Sequence, residues 1–237
     1  MSDYWTMVWK EMKDTVFSGR RSELIIPLMV IAIMGIVIPW QFGQIWISLS
    51  PAMIFIVCYI PFFLTTSYIG DAVAGERERH TLETLLASRI SDRAILWGKI
   101  TVTIAYVWGL TLIGLLPGLV VANLSSGNSH WQFYYPIDIL LEMLFLNLLA
   151  SLLSSSAGVL ISLRAETVRQ AQLTMAIGSL IFLIALVLIL KSVPAEVLEA
   201  LNESQILLFF IGGFALLDLI LVGILSVDFQ RSRLILR

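Results

Sequence analysis

The sequence predicts an all-α, polytopic membrane protein with six transmembrane helices in a single membrane domain. Of its 237 residues, 58% are hydrophobic and only 14% are charged, which is too little polar surface to cover a soluble fold. Six runs lack Lys and Arg, and each is about long enough to cross a hydrocarbon core of roughly 30 Å. Nearly all basic residues fall on one side of these runs, as expected for a chain that crosses a membrane repeatedly.

The first 21 residues precede the membrane domain and have the pattern of an amphipathic helix. Apolar residues recur there at steps of three and four, namely Trp5, Val8, Trp9, Met12 and Val16. Charged residues occupy the opposite side, namely Lys10, Glu11, Lys13 and Asp14. Such a helix is suited to the headgroup layer, with Trp at the boundary and Lys reaching towards water. We therefore expect residues 1–21 to form an interfacial elbow helix, which either only anchors the chain or also contacts a cytoplasmic partner.

The six-helix membrane domain is predicted to occupy residues 22–237. Its expected spans are 24–40, 45–69, 100–122, 137–163, 173–190 and 206–225. Fourteen of the 15 Lys and Arg residues lie on one side of the predicted spans: before the first, between the second and third, between the fourth and fifth, or after the sixth. The remaining one, Lys191, lies on the other side. The positive-inside rule then places both termini in the cytoplasm. We expect a multi-pass protein of the plasma or inner membrane.

The connection between the second and third spans, residues 70–99, is the longest polar stretch and the most charged. Four of its apolar residues share one helical face, namely Leu82, Leu85, Leu86 and Ile90. Ser91 or Asp92 is suited to cap a further helix that runs into the third span. We expect two short helices with a break between them. An apolar stripe on a cytoplasmic hairpin needs a cover, either a protein partner or the base of the hairpin.

This connection contains Glu76-Arg77-Glu78, Thr81-Leu82-Glu83, Leu85-Leu86, Ser91 and Gly98-Lys99. The pattern resembles the ABC-2 type permease family, whose members are the membrane subunits of type V ABC exporters. The topology is similar over the whole chain, whereas the motif covers about residues 76–99. The sequence departs from the family pattern at His80, where Gly is common, and at Arg89, where Pro is frequent.

The resemblance implies that a coupling helix in this connection docks into a groove of a separate ABC ATP-binding subunit. Ten residues would form or support the contact, namely Glu76, Arg77, Glu78, Arg79, Thr81, Leu82, Glu83, Leu85, Leu86 and Ile90. Two copies of that subunit, which bind ATP and Mg, would act on two permease subunits forming a homodimer or a heterodimer. Their closure would push the coupling helix, and the second and fifth spans would shift to expel the substrate.

The sequence lacks the motifs that would support chemistry within this chain. Gly98-Lys99 is followed by Ile100 rather than by Ser or Thr, so it does not form a nucleotide-binding P-loop. With two His residues and Cys58 as the only cysteine, a His/Cys metal site is not expected. We therefore predict no catalytic residue, metal or cofactor in this chain. The expected partners are protein subunits and the lipid bilayer, and no nucleic acid.

Three acidic residues lie within the predicted spans. Asp138 and Glu142 are one helical turn apart at the outer end of the fourth span, where they reach water or line an outer vestibule. Asp218 lies midway along the sixth run, where a carboxyl costs at least about 2.5–3.5 kcal/mol unless it is protonated or paired. Its predicted role is a structural hydrogen bond or a dimer contact, or else the handling of substrate or protons.

Two other functions remain open beside the exporter permease. An ion-coupled secondary carrier would use Asp218, although carriers usually place more polar groups at mid-membrane and often show inverted repeats. An intramembrane enzyme would use Asp218, Asp138 or Glu142, although these acids are not paired at one depth. The remaining inner connection, residues 164–172, is expected to be a turn rather than a second docking contact.

Overall fold

The computed structural model describes residues 2–16, 21–47, 51–81, 87–126, 135–192 and 203–228. Within these ranges the regular structure is entirely helical, as the sequence predicted. Four helices are long and apolar enough to cross a membrane, namely Asp92–Ser125, Ile137–Arg164, Val168–Leu188 and Gln205–Val227. Two shorter apolar helical stretches, Pro27–Phe42 and Ile56–Thr66, lie where the first and second spans were expected.

The helices are numbered in chain order. They are α1 (Ser2–Val16), α2 (Arg21–Ala32), α3 (Ile38–Phe42), α4 (Pro51–Glu78), α5 (Asp92–Ser126), α6 (Ile137–Arg164), α7 (Val168–Ser192) and α8 (Glu203–Asp228). A π-helical turn, Ile33–Val37, joins α2 to α3, and a 3-10 turn, Gly43–Trp46, follows α3. The predicted fourth span, 137–163, coincides with α6 to within one residue.

The first predicted span is a helical run whose winding changes halfway. The backbone N–H of Ile38 donates to the carbonyl of Ile33, five residues back. Pro39 follows and has no N–H for the carbonyl four residues before it, which favours a wider turn at this point. Gly35 in this turn packs against Pro117 of α5, where an added Cβ would lie 2.5 Å from the proline Cγ. Glycine is therefore required at position 35 for the close approach.

The second predicted span differs most from the observed helix. We expected 45–69, but α4 begins at Pro51 and continues to Glu78, well into the predicted polar connection. The extension is stabilised because Val73 and Ala74 are buried, and their backbone N–H groups donate to Ser162 Oγ over 3.1 and 2.9 Å. The third span likewise begins early, at Asp92. The connection is therefore shorter than the sequence pattern indicated.

Helix α6 is the centre of the bundle and packs against α4, α5, α7 and α8. Its buried side chains include several small polar groups, namely Asn147, Ser151, Ser154, Ser155, Ser156 and Ser162. Small residues let neighbouring helices approach closely where apolar burial supplies no driving force. Asn147 adds a hydrogen bond from its Nδ2 to the carbonyl of Val57 on α4, 3.2 Å away.

Large apolar side chains cover the outside of the bundle. Leu219, Leu116 and Phe209 are each more than 70% exposed. A protein in water buries such side chains, whereas lipid solvates them. This outward apolar surface fits the membrane-spanning reading of the sequence.

A hydrogen-bond chain ties α5 to the segments before α4 and α6. Trp46 Nε1 donates to the hydroxyl of Tyr135 over 3.0 Å, and that hydroxyl donates to the carbonyl of Leu115 over 3.1 Å. Gly118 faces the indole closely, because an added Cβ would lie 2.8 Å from Trp46 Nε1. Trp46 and Tyr135 thus both have a specific packing role.

Candidate functional site

The predicted coupling motif lies at the end of the bundle where α4 finishes, α5 begins and α6 turns into α7. We call this the charged end. Helix α1 packs along the first turns of α5, and Met7 meets Gly98 so closely that an added Cβ would lie 2.7 Å from Met7 Cγ. Glycine at position 98 thus lets the elbow helix rest directly on α5. Tyr4 adds a hydrogen bond to Thr101 Oγ1 over 2.9 Å.

Four charged residues meet beneath this contact, and we call them the four-charge cluster: Lys10, Glu11, Glu76 and Lys99. Lys99 Nζ lies 2.9 Å from Glu11 Oε1 and 3.0 Å from Glu76 Oε1. Lys10 Nζ lies 2.8 Å from Glu76 Oε1 and 3.2 Å from Glu11 Oε1. The cluster joins three helices, α1, α4 and α5, and its formal charges cancel.

Most of the four-charge cluster is withdrawn from solvent. The side chain of Lys99 is 2% exposed, that of Glu76 8% and that of Glu11 9%, whereas Lys10 is 42% exposed. An apolar cluster formed by residues from five helices lies at the same end of the bundle, namely Met7, Val73, Ile95, Ile100, Leu163 and Leu225. In such surroundings an ion that loses its partner cannot be solvated, so removing one member is strongly destabilising.

The pKa values follow from this geometry. Burial alone would raise the pKa of Glu11, but the nearby Lys99 and Lys10 outweigh it and lower the pKa below its ordinary value of 4.5. Burial alone would lower the pKa of Lys10, but Glu11 and Glu76 outweigh it and raise the pKa above 10.5. Both groups are therefore charged at neutral pH.

Arg77 and Glu78 connect the same end of α4 to the turn between α6 and α7. Arg77 donates to the carbonyls of Ala165 and Leu163, at 2.6 and 3.2 Å, at the C-terminal end of α6. Glu78 Oε1 accepts the backbone N–H of Val168 over 3.2 Å, at the start of α7. A cation at a helix C-terminus and an anion at an N-terminus are both favourable for the helix dipole. The turn expected over residues 164–172 is present but shorter, at residues 165–167, and Arg77 and Glu78 of α4 contact its two ends.

Two residues after α4 ends, His80 adopts the left-handed conformation at a position where the family commonly has Gly. His80 has a φ of 56°, and among the described residues it is the only non-glycine residue with positive φ. The N–H of Thr81 donates to the carbonyl of Glu76 and that of His80 to the carbonyl of Arg77, which is the Schellman arrangement of a helix end. Glycine suits this position because it has no Cβ penalty there. The departure at His80 therefore changes the residue without removing the turn.

The remaining predicted coupling residues lie around the connection. Arg79 and Thr81 are exposed and follow α4 directly, and Ile90 is partly buried against the apolar cluster at the charged end. The other four, Leu82, Glu83, Leu85 and Leu86, lie outside the described residues. The predicted cap is confirmed, because Ser91 Oγ accepts the N–H of Ala94 over 3.3 Å at the start of α5.

The acids within the spans lie elsewhere. Asp218 is 4% exposed, and neither of its carboxyl oxygens has a hydrogen-bond partner among the described residues. It is buried within a single chain, so a second subunit is not needed to cover it. Asp138 is exposed and Glu142 is partly exposed at the start of α6, far along the chain from Asp218. Asp138 and Glu142 therefore lie near the surface on one helix, whereas Asp218 is buried on another.

The sequence pattern missed the four-charge cluster. It placed Lys10 and Glu11 on a polar side opposite the Trp residues, but Glu11 is buried against α5 while Trp5 and Trp9 are 65% and 64% exposed. Two features of the sequence are consistent with the pairing: Glu11 is an acid on the elbow helix, and Lys99 directly precedes the charge-free run that begins at Ile100. Neither feature identifies the partner, because the paired residues are far apart in sequence.

A family model described as "ABC-2 type transporter" matches residues 2–194, which include helices α1 to α7 and therefore the elbow helix and the charged end. Among curated proteins, none matches the chain.

Proposed function

Because the chain belongs to the ABC-2 type transporter family, we propose that it is the membrane-spanning permease subunit of an ATP-driven exporter. Members of this family are transporter permeases and not catalysts. ATP hydrolysis would therefore take place in a separate ATP-binding subunit, which would hold ATP and Mg. This chain would supply the translocation path and the coupling to that subunit.

One observation supports the coupling role above all. The two ends of the connection that follows α4 are tied together at its base, since Glu76 Oε1 and Lys99 Nζ lie 3.0 Å apart. Lys99 also binds Glu11, so the elbow helix is tied to the same point. A connection that transmits force has to move with the helices it joins, and a buried ion-pair base provides that rigidity. A push on this connection would then reach α4, α5 and α1 together.

The contact with the ATP-binding subunit would involve residues 76–90. Glu76 and Arg77 already make contacts within the chain, so they would position the docking segment rather than touch the partner. Arg79 and Thr81 are exposed and adjacent to it. The leucines of residues 82–86 would then provide the apolar face that enters a groove of the partner.

The proposed assembly has two permease subunits, identical or not, and two ATP-binding subunits. Each permease would cross the membrane six times, with the charged end and both termini in the cytoplasm. The 14 basic residues on that side support this orientation. The complex would lie in the plasma or inner membrane and work by alternating access.

A second candidate function is an ion-coupled carrier. The buried carboxyl of Asp218, with no partner among the described residues, favours it, because an intramembrane ionisable residue commonly marks an ion pathway. An intramembrane enzyme is less well supported, because Asp138 and Glu142 lie on α6 near the surface while Asp218 is buried on α8. Family membership favours the exporter permease over both.

Co-purification from native membranes tests the proposal. The tagged full-length chain should bring a P-loop ATPase with it in equal amounts. Changing both Leu85 and Leu86 to Asp should abolish this association, because two unpaired charges buried at the contact cost several kcal/mol. The variant Arg169→Glu, which adds negative charge at the other inner connection, should retain it. Full ATPase association and full transport by the double variant would contradict the coupling role.

A further inference from the structure

The last turn of α4 packs closely against the turn between α6 and α7 at the charged end. Ala74 of α4, Ala165 of the turn and Ala171 of α7 form a buried cluster of their own. Alanine side chains are small enough to let neighbouring helices approach closely. We call this contact the α4–α7 junction. It shares no residue with the four-charge cluster.

Two neighbouring residues of α4 hold the two ends of this turn. Arg77 donates to the carbonyls of Ala165 and Leu163, 2.6 and 3.2 Å away, where α6 ends. Glu78 Oε1 accepts the N–H of Val168 over 3.2 Å, where α7 begins. Since only residues 165–167 separate α6 from α7, adjacent side chains of α4 tie both helices.

Local hydrogen bonds stiffen the start of α7. Thr167 directly precedes the helix and caps it, because its Oγ1 accepts the N–H of Gln170 over 3.1 Å. The side chain of Gln170 reaches back, and its Oε1 accepts the N–H of Glu166 over 3.0 Å. These bonds hold the turn and the first turn of α7 together as one unit. A displacement of the turn is therefore carried into α7.

The end of α4 has two sides with different neighbours. Successive residues of an α-helix lie about 100° apart around its axis. Glu76 faces the four-charge cluster, and Arg77 and Glu78 lie roughly 100° and 200° further round, towards the junction. A movement of this helix end therefore acts on α1 and α5 through Glu76, and on α6 and α7 through the two residues that follow it.

Helix α7 also runs alongside α4 away from the junction. Its main neighbours are α4 and α6. Phe62 of α4 and Phe182 of α7 stack with their ring centroids 4.4 Å apart. At 1.5 Å per residue, Phe62 lies about 22 Å from Arg77 along α4, and Phe182 lies about 21 Å from Val168 along α7. The two helices are thus antiparallel and in contact at both ends of the same stretch.

We propose that Arg77 is a positioning residue, which makes α7 follow α4 when the connection after α4 is pushed. Helix α4 corresponds to the second predicted span and α7 to the fifth, which are the two spans that the family resemblance expects to shift. The inference rests on the proposed exporter function and adds the residue through which the fifth span is moved. A directional contact is needed for this, because apolar contacts such as the phenylalanine stack are non-directional and do not fix the start of α7.

The competing role for Arg77 is a local one, in which it only caps the C-terminal end of α6. A cation at a helix C-terminus is favourable on its own. Capping does not account for Glu78, which contacts the start of the next helix, or for the alanine cluster that brings α7 against α4. The two roles differ in one measurable respect: only a positioning role makes the movement of α7 depend on Arg77.

Thiol labelling of the complex with its ATP-binding subunit separates these roles. The full-length chain, with Cys58 replaced by Ala, is co-purified with the ATPase and placed in nanodiscs. A single cysteine replaces either Arg89, in the connection after α4, or Thr174, an exposed residue near the start of α7. Labelling by a water-soluble maleimide is compared with and without a non-hydrolysable ATP analogue and Mg. We expect the labelling rates at both positions to change by about fivefold or more, as is typical of coupled sites.

Three variants test the dependence on the junction. Arg77→Met keeps the stem of the side chain but removes its donors, so the rate at position 174 should no longer respond to the nucleotide while the rate at position 89 still does. The phenylalanine stack is left intact by this change and keeps α7 packed. Arg77→Lys retains a cation that can donate to a carbonyl, so it should keep the response at position 174. Glu78→Ala, at an exposed position, removes the other contact and should weaken the same response.

Arg169→Met is the matched control, because it removes an exposed arginine from α7 itself, next to Val168. Both reporter positions should respond in this variant as in the unmodified chain, and all variants should elute like the unmodified complex in gel filtration. A response at position 174 that survives in Arg77→Met would overturn the inference. If Arg77→Met does not fold, an unchanged response in Glu78→Ala would do so.

The unmodified complex provides a further check. A response at position 89 without one at position 174 would overturn the inference alone, because α7 would then not follow the connection. Absence of an ATPase from the purified complex would instead contradict the proposed function and remove the basis of the inference with it. The two failures are therefore distinguishable.

Discussion

Lys99 Nζ lies 2.9 Å from Glu11 Oε1, and this contact fastens the elbow helix to the first turns of α5. Glu76 Oε1 is 3.0 Å from the same amine, so one buried cation holds α1 and α4 at a single point. A buried lysine is unfavourable unless it is paired, and here two carboxylates surround it. Lys99 therefore holds α1, α4 and α5 together at the charged end.

Replacing Lys99 should therefore destabilise the protein more than replacing other lysines. Lys99→Met keeps the length and apolar stem of the side chain but leaves Glu11 and Glu76 without their buried cation. We expect a loss of about 3–5 kcal/mol in the free energy of unfolding. Denaturant unfolding in detergent, followed by circular dichroism, measures it.

The control and the rescue make this test specific. Lys13→Met removes an exposed charge from α1 and should change the free energy of unfolding by no more than about 0.5 kcal/mol. Adding Glu11→Gln to Lys99→Met removes one of the stranded charges and should recover part of the loss. Equal effects of Lys99→Met and Lys13→Met would show that the cluster contributes nothing to stability.

The cluster also sets a pH window for stability. The pKa of Glu11 is lowered, so its stabilisation is fully present above 4.5 and is lost as the pH falls through the lower folded value. The pKa of Lys10 is raised, so its stabilisation is fully present below 10.5 and is lost as the pH rises through the higher folded value. Unfolding measured between about pH 3 and pH 7 should show that the unmodified protein and Glu11→Gln converge at the acid end. A constant difference between them would contradict the assignment.

The end of α4 offers a stabilising substitution. His80 adopts a φ of 56°, which costs a residue with a Cβ roughly 1 kcal/mol relative to glycine. His80→Gly should therefore raise the free energy of unfolding by about 1 kcal/mol and slow hydrogen exchange at the Thr81 amide. Arg79→Gly is the matched control: Arg79 does not have positive φ, so glycine there should be neutral or destabilising. A loss of stability in His80→Gly would rule out backbone strain at this turn.

The proposed orientation is tested by labelling single cysteines in sealed cells. Cys58 is first replaced by Ala, and one cysteine is then introduced at Ser2, Ser88 or Ser126. The distribution of basic residues predicts that Cys at positions 2 and 88 reacts only from the cytoplasmic side and Cys at position 126 reacts from outside. Labelling of position 88 by an impermeant reagent added outside would exclude the six-span arrangement.

Local signals in the sequence predicted local structure well. The run 137–163, which lacks Lys and Arg, became α6, and Ser91 caps α5 as its residue type suggested. Position 80, where the family commonly has Gly, has a positive φ in this chain although the residue is His.

Other features could not be predicted from local signals. The end of α4 was misplaced because the polar sequence suggested a loop, whereas burial of Val73 and Ala74 against Ser162 continues the helix. Glu11 and Lys99 each look like ordinary exposed charges in sequence, because only the docking of α1 on α5 makes them a buried pair.

The last prediction decides between the exporter and the ion-coupled carrier through Asp218. This side chain is 4% exposed in a single chain, and its oxygens have no partner among the described residues. The other predicted spans contain no Lys or Arg that could neutralise it. A buried carboxyl in such surroundings is expected to be protonated, in which form asparagine resembles it in shape and in donating a hydrogen bond.

Asp218→Asn should therefore keep assembly and transport near normal if the residue is structural. A carrier that moves protons through Asp218 needs the carboxyl to ionise, and asparagine cannot, so transport would stop while assembly stays intact. Substrate efflux from reconstituted vesicles measures transport, and gel filtration measures assembly. Asp138→Asn, which alters an exposed carboxyl at the start of α6, is the matched control and should change neither transport nor assembly. Loss of transport in Asp218→Asn alone, with full assembly and with ATPase association retained, would show that ATP-driven coupling does not account for the function of this residue.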